Sequence, residues 1–168
     1  MAGNASSSMG TGPVMVKAGA TLGGDGTISG AVTVESGGHL APGLNGSGAL
    51  TLSGTGTCLI FTNNAVLDCE IGGSSSAASS GLVKLTATDS TIGFGTNAVL
   101  NLFMTAGMTS YGGSRVVLFT YVGKEPVLPE WTINYGDTGC GDGVVYHDKA
   151  NKQIALTLTP KGSVIVIR

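Results

Sequence analysis

Charge is scarce in this sequence. Asp, Glu, Lys and Arg make up 11% of the 168 residues, against about 25% in ordinary soluble domains. The eight basic residues are scattered, and the formal net charge is −2. Nucleic-acid binding draws its affinity from clustered cations that displace counterions, so a nucleic-acid partner is excluded. A polybasic membrane contact fails for the same reason. Long apolar runs are missing too: the longest hold four residues, such as those at 58–61 and 164–167. A membrane-spanning helix needs about 20, so no membrane span is expected. The opening MAGNASSSMG has neither the charged n-region nor the apolar h-region of a secretory signal. A secreted chain is therefore expected to stand here as a mature piece or an excerpt.

Cysteines are few, at Cys58, Cys69 and Cys140, and no C-x-x-C spacing occurs. With only His39 and His147 beside them, a zinc site has no ligand set. The simplest expectation is three buried thiols acting as small hydrophobes. A Cys58–Cys69 disulfide is the alternative in an oxidising compartment.

Glycine is abundant, 29 of 168 residues, without the three-residue period of collagen. A longer period is present instead. VMVKAGATL, VTVESGGHL and LTLSGTGTC start at positions 14, 32 and 50, evenly spaced. On this alignment Val14, Val32 and Leu50 are equivalent, as are Val16, Val34 and Leu52. A finer period runs inside it: positions 16, 22, 28, 34, 40, 46, 52 and 58 are apolar except Gly46. Six residues turn an α-helix by about 600°, not a whole number of turns, so a helix cannot hold this pattern on one face. Stacked short strands can, at about 4.8 Å per layer. An antiparallel sandwich with glycine turns gives no reason for a repeated 18-residue offset.

The fold class expected is all-β: a single-stranded parallel β-helix, or β-solenoid, of about 18 residues per coil in its N-terminal half, with a β-rich C-terminal cap. Residues 1–13 are expected to be flexible, 14–60 to form repeated coils, 61–160 irregular coils and cap, and 161–168 a final β-strand. GSSSAASSG at 73–81 reads as a loop between coils. KEPVLPEW, with two prolines, reads as a loop or edge segment. WTINY, GVVYHD and QIALTLT read as three closing strands, joined by turns DTGCGDG and KANK. All but one of the aromatic residues lie beyond position 90, as a thicker capping region requires.

TLGGDGTISGAVTVESGGHLAPG closely resembles the glycine-rich repeat of autotransporter-associated β-strand proteins, which PEP-sorted bacterial surface proteins share. The VVLFTY strand, proline loop, WTINY strand and QIALTLTP strand are similar to the segments C-terminal to that repeat in the family. The resemblance covers roughly residues 14–160. It implies a right-handed helix and a passenger-type role, secreted or displayed on a bacterial surface. KGSVIVIR stands where the family often carries a sorting tail, and no translocator barrel is present in this sequence.

Catalytic constellations are hard to assemble. Paired glycosidase carboxylates must face each other about 5–9 Å apart. Glu35 is expected to stack with Lys17 and Ser53, not with another acid. Asp68 and Asp89 could sit on adjacent irregular coils. His39 is expected to face solvent, and His147 to lie in a turn beside Asp148. No enzyme and no cofactor are expected. Asp137 and Asp142 in DTGCGDG form a weak calcium candidate. Val164, Ile165, Val166 and Ile167, all β-branched, form a self-assembly strand that packs on its own stack or adds to a neighbour. Head-to-tail filaments are one expected outcome. Surface glycans are another expected partner, with Tyr111, Tyr121, Trp131, Tyr135 and Tyr146 as the available rings.

Overall fold

Residues 8–43, 48–74, 77–105 and 115–160 are described by the computed structural model. Among them every regular element is a β-strand. β1 (Ser8–Met9), β2 (Val14–Val16), β3 (Thr21–Gly24), β4 (Thr27–Ile28), β5 (Val32–Val34), β6 (His39–Pro42), β7 (Ala49–Leu52) and β8 (Thr57–Phe61) are short. β9 (Ala65–Ser74), β10 (Ala77–Ser80), β11 (Leu82–Leu85), β12 (Thr91–Phe94) and β13 (Asn97–Met104) come next. β14 (Arg115–Thr120), β15 (Glu130–Asn134), β16 (Cys140–Asp148) and β17 (Gln153–Pro160) end the series.

These strands form three mostly parallel sheets. The first runs β12-β8-β5-β2, the second β15-β13-β9-β6-β3 with β10 paired to β9, and the third β1-β4-β7-β11-β14-β17-β16. From β2 to β14 the chain visits first, second and third sheet in that order, four times over. Within this span, apart from β10, each strand after the first pass pairs in parallel with the one laid down a pass earlier.

Register shows where the sequence period holds. Val14 pairs with Val32 and Leu22 with Leu40, each one repeat further along the chain. Beyond that the alignment needs correcting. Leu50 and Leu52 belong to the third sheet, where Leu52 pairs with Ile28. Leu59 and Phe61 take the places opposite Val32 and Val34. The cause is a longer link: two residues join β3 to β4, but six join β6 to β7. Parallel stacking does not loosen after Phe61. It continues with a longer step, the same from β9 to β13 as from β13 to β15, pairing Leu67 with Leu100 and Leu100 with Ile133.

The inward side chains make continuous columns. Leu22, Leu40, Leu67, Leu100 and Ile133 stand in register along the second sheet. Four of them are buried; Ile133, on the last strand, is partly so. Past Phe61 the core turns aromatic. Phe94 lies 5.6 Å from Phe61, 5.8 Å from Phe119 and 5.7 Å from Trp131 between ring centroids. Such tilted and edge-on contacts suit the ring quadrupoles. One corner repeats across passes: Gly19, Gly37 and Asn64 take φ of 74°, 71° and 61°. Their N–H groups donate to the C=O of Gly37, Asn64 and Asn97. Glycine or asparagine is needed there, because other side chains crowd the following carbonyl in the left-handed region.

Several expectations shift at the ends. Pairing of β1 with β4 reaches into the 1–13 segment expected to be flexible, of which 1–7 lie outside the described residues. The 73–81 stretch is mainly an antiparallel hairpin, β9 with β10, not a loop. β16 starts at Cys140, inside the DTGCGDG stretch read as a turn, and takes in His147. β17 is antiparallel to both β14 and β16 and lies between them. Residues 121–129, with Pro126 and Pro129, form no strand. Within them the Lys124 N–H donates to Ser90 C=O, and directly after them the Glu130 N–H donates to Thr96 C=O, both at 3.2 Å.

Leu67→Ala removes a buried side chain from the middle of a column and should lower stability by about 2–5 kcal/mol. Asn101→Ala, one position over on the outer face, should cost about 0.5–1.5 kcal/mol. Urea denaturation compares the two.

Candidate functional site

Strand alternation that turns Leu67, Leu100 and Ile133 inward turns the residues after them outward. Asp68, Asn101 and Asn134 are register partners on β9, β13 and β15. The Asn134 Nδ2 donates to Asn101 Oδ1 at 2.7 Å, and the Asn101 Nδ2 to Asp68 Oδ1 at 2.8 Å. His39 on β6 is opposite Val66 rather than Asp68, and reaches diagonally, placing Nδ1 2.7 Å from Asp68 Oδ2. An ionised carboxylate only accepts, so Nδ1 carries the proton. Nε2 is then free to accept from an outside donor when the ring is neutral. His39 therefore faces outward as expected, in register with Thr21. Four polar residues on four neighbouring strands thus form one chain of side-chain hydrogen bonds.

This face presents an imidazole, a carboxylate and two amides, groups that hydrogen-bond in general to hydroxyls and amides. Among the described residues no hydroxyl or thiol is hydrogen-bonded to His39. Asp68 and Asp89 lie on different elements, β9 and the turn before β12. Lys17 and Glu35 stack as expected, with Nζ 3.6 Å from Oε1, an exposed pair of little energetic weight. Ser53 instead meets Ser29, Oγ to Oγ at 3.0 Å, as the corrected register requires.

A second cluster ties the proline segment to the closing hairpin. Tyr121 Oη lies 2.5 Å from His147 Nε2, and His147 Nδ1 lies 3.4 Å from Glu125 Oε1. The Lys149 Nζ completes it, 2.6 Å from the same carboxylate oxygen. Burial, reinforced by the Glu125 charge, pushes the Tyr121 phenol up. The Glu125 carboxyl is held below its usual range, chiefly by the hydrogen bond from Lys149. Nearby, Arg115 donates to Tyr146 Oη at 2.9 Å and to Asp148 Oδ2 at 2.7 Å. The Asp148 carboxyl is also held low, first by the Asn151 side-chain amide. His147 and Asp148 do not sit in a turn as expected. They end β16, and their side chains have separate partners.

Other expected residues are scattered. Asp137 Oδ1 accepts from the Met104 N–H at 3.4 Å, closing the corner before β16, while Asp142 is exposed on that strand. Among the described residues no three His, Cys, Asp or Glu side chains are placed to hold a metal ion. Cys58, Cys69 and Cys140 are free and buried. The 58–69 disulfide is not formed: Cys58 belongs to the first sheet and Cys69 to the second. Burial pushes the Cys69 thiol up to about 12 and raises Cys58 and Cys140 as well. Of the rings considered for glycans, Tyr121 is buried, and Trp131 and Tyr135 pack against the core. Tyr111 and the 164–167 run lie outside the described residues. An open groove of about 920 Å³ lies between β12 and the proline segment, with Phe94, Lys124, Val127 and Glu130 among its lining residues. No helix among the described residues is long and apolar enough to cross a membrane.

No protein-family model and no curated protein matches the chain.

The titratable groups lead to two expected outcomes. Ellman's reagent should find no fast thiol in the native chain and three after unfolding. Glu125 and Asp148 have folded pKa values below their ordinary 4.5 and 3.8. The stability they contribute is present above those values and lost as pH falls through the lower folded ones. Melting temperature should therefore drop on acidification below about 4.5, and drop less in Glu125→Gln/Asp148→Asn.

Proposed function

We propose that this chain is a structural module, a parallel β-solenoid that serves as a rigid element outside the cell. The observation that carries this reading is the column Leu22–Leu40–Leu67–Leu100–Ile133, held in parallel register from pass to pass. Three mostly parallel sheets visited in a fixed order are what winding about one axis produces. Scarce charge and neutral polar side chains suit an exposed scaffold. Resemblance to autotransporter-associated repeats supports right-handed winding and a place in a passenger region or on a bacterial surface. In this reading the closing hairpin β16–β17 and the proline segment cover one end of the core, as solenoid ends require. Self-association through open sheet edges is the assembly open to such a module, head-to-tail or otherwise.

A glycan-binding role is the second reading, and the His39–Asp68–Asn101–Asn134 chain favours it. That row presents an imidazole acceptor and amide groups at regular strand spacing. A glycan array of the intact chain separates the two. The structural reading expects no retained sugar. A sugar held by the wild type and lost in Asn101→Ala would replace it with the adhesin-like one.

A further inference from the structure

β15 is an end strand of the second sheet among the described residues, at the end opposite β3. On one side it pairs with β13, from Glu130 opposite Asn97 to Asn134 opposite Asn101. Because the Glu130 N–H bonds toward that side, alternation sends the N–H and C=O of Trp131 and Ile133 the other way. An edge of this kind is a template for a further strand. Trp131 and Ile133 are only partly buried against the core. The Trp131 Nε1–H is a buried donor with no acceptor among the described residues. Val144 is exposed on β16, the end strand of the third sheet, and exposed Val127 lines the groove that Glu130 also lines.

The chain contains a run that matches this edge. Residues 164–168 read VIVIR. Laid antiparallel with Arg168 opposite Glu130, the run puts Ile167 opposite Trp131, Val166 opposite Thr132 and Ile165 opposite Ile133. Charge meets opposite charge, and both inward positions meet isoleucine. A register shifted by one residue loses both matches.

Which copy supplies the run is set by topology. Pro160 pairs with Cys140, so β17 ends at the corner just beyond β15. β16 lies one strand further out than β17, so the 135–139 link steps outward across that corner. A 161–163 link to the free side of the chain's own β15 would step outward over the same corner and cross it. Connections avoid such crossings. We propose that residues 164–168 of one copy add antiparallel to β15 of a second copy. Donor and acceptor share one end of the molecule, so the exchange is reciprocal and closes as a two-fold dimer, not a filament.

The intact chain should scatter light as a dimer of its 16.6 kDa mass at micromolar concentration. Thr132→Cys on one tagged copy and Val166→Cys on a differently tagged copy should join by a disulfide on mixing and mild oxidation. Glu130→Arg should raise the dimer dissociation constant about tenfold or more, and Glu130→Arg/Arg168→Glu should restore it. A monomer, a polymer longer than two, or a Thr132→Cys/Val166→Cys chain linked only within itself would each overturn the dimer. A monomer would leave the structural role standing, because that reading rests on the stacking and not on the exchange.

Discussion

Leu67, Leu100 and Ile133 stack inward, and the residues directly after them, Asp68, Asn101 and Asn134, stack outward. That single alternation orders the rest of the molecule. Apolar columns hold only if every strand keeps its register to the one below, because a slip of one residue exchanges the two faces. The penalty for a slip is large on both sides: leucines reach water, and a carboxylate reaches the core without partners. The hydrogen-bonded polar row and the apolar column therefore specify the same register independently.

Much of this is legible in the sequence, and the reason is parity. The inward positions at 16, 22, 28, 34, 40, 52 and 58 are all buried. Yet the period puts the strands carrying the last two in the wrong sheet. The link between β6 and β7 holds six residues, the same number as the short period. The six-residue spacing therefore keeps its phase on either side of the link, at Leu40 and Leu52, while the chain takes a longer path from Ile28 to its partner Leu52 than from Val14 to Val32. Periodicity reports which way a side chain faces and is blind to which wall it belongs to. Backbone pairing settles that, and pairing has no signature in a single sequence.

The candidate site is less visible for the same reason. His39 and Asp68 are 29 positions apart, and Asp68 and Asn101 are 33 apart. Neither spacing is a multiple of 18, so no search on the repeat would join them. Tyr121, Glu125 and His147 meet only because an irregular proline segment lies against the closing hairpin. Local features, by contrast, can be read directly. The KANK turn, the non-strand character of the proline segment and the three closing strands arise from proline, glycine and β-branched residues acting on their own neighbours.

Parallel stacking of the first passes is the claim on which fold and role both stand. Methyl-labelled leucines in a NOESY experiment test it directly. Contacts linking Leu22 to Leu40, Leu40 to Leu67 and Leu67 to Leu100, without short Hα–Hα contacts between the 14–24 and 32–42 segments, are the expected result. Strong Hα–Hα contacts between those segments, the mark of antiparallel pairing, would contradict it.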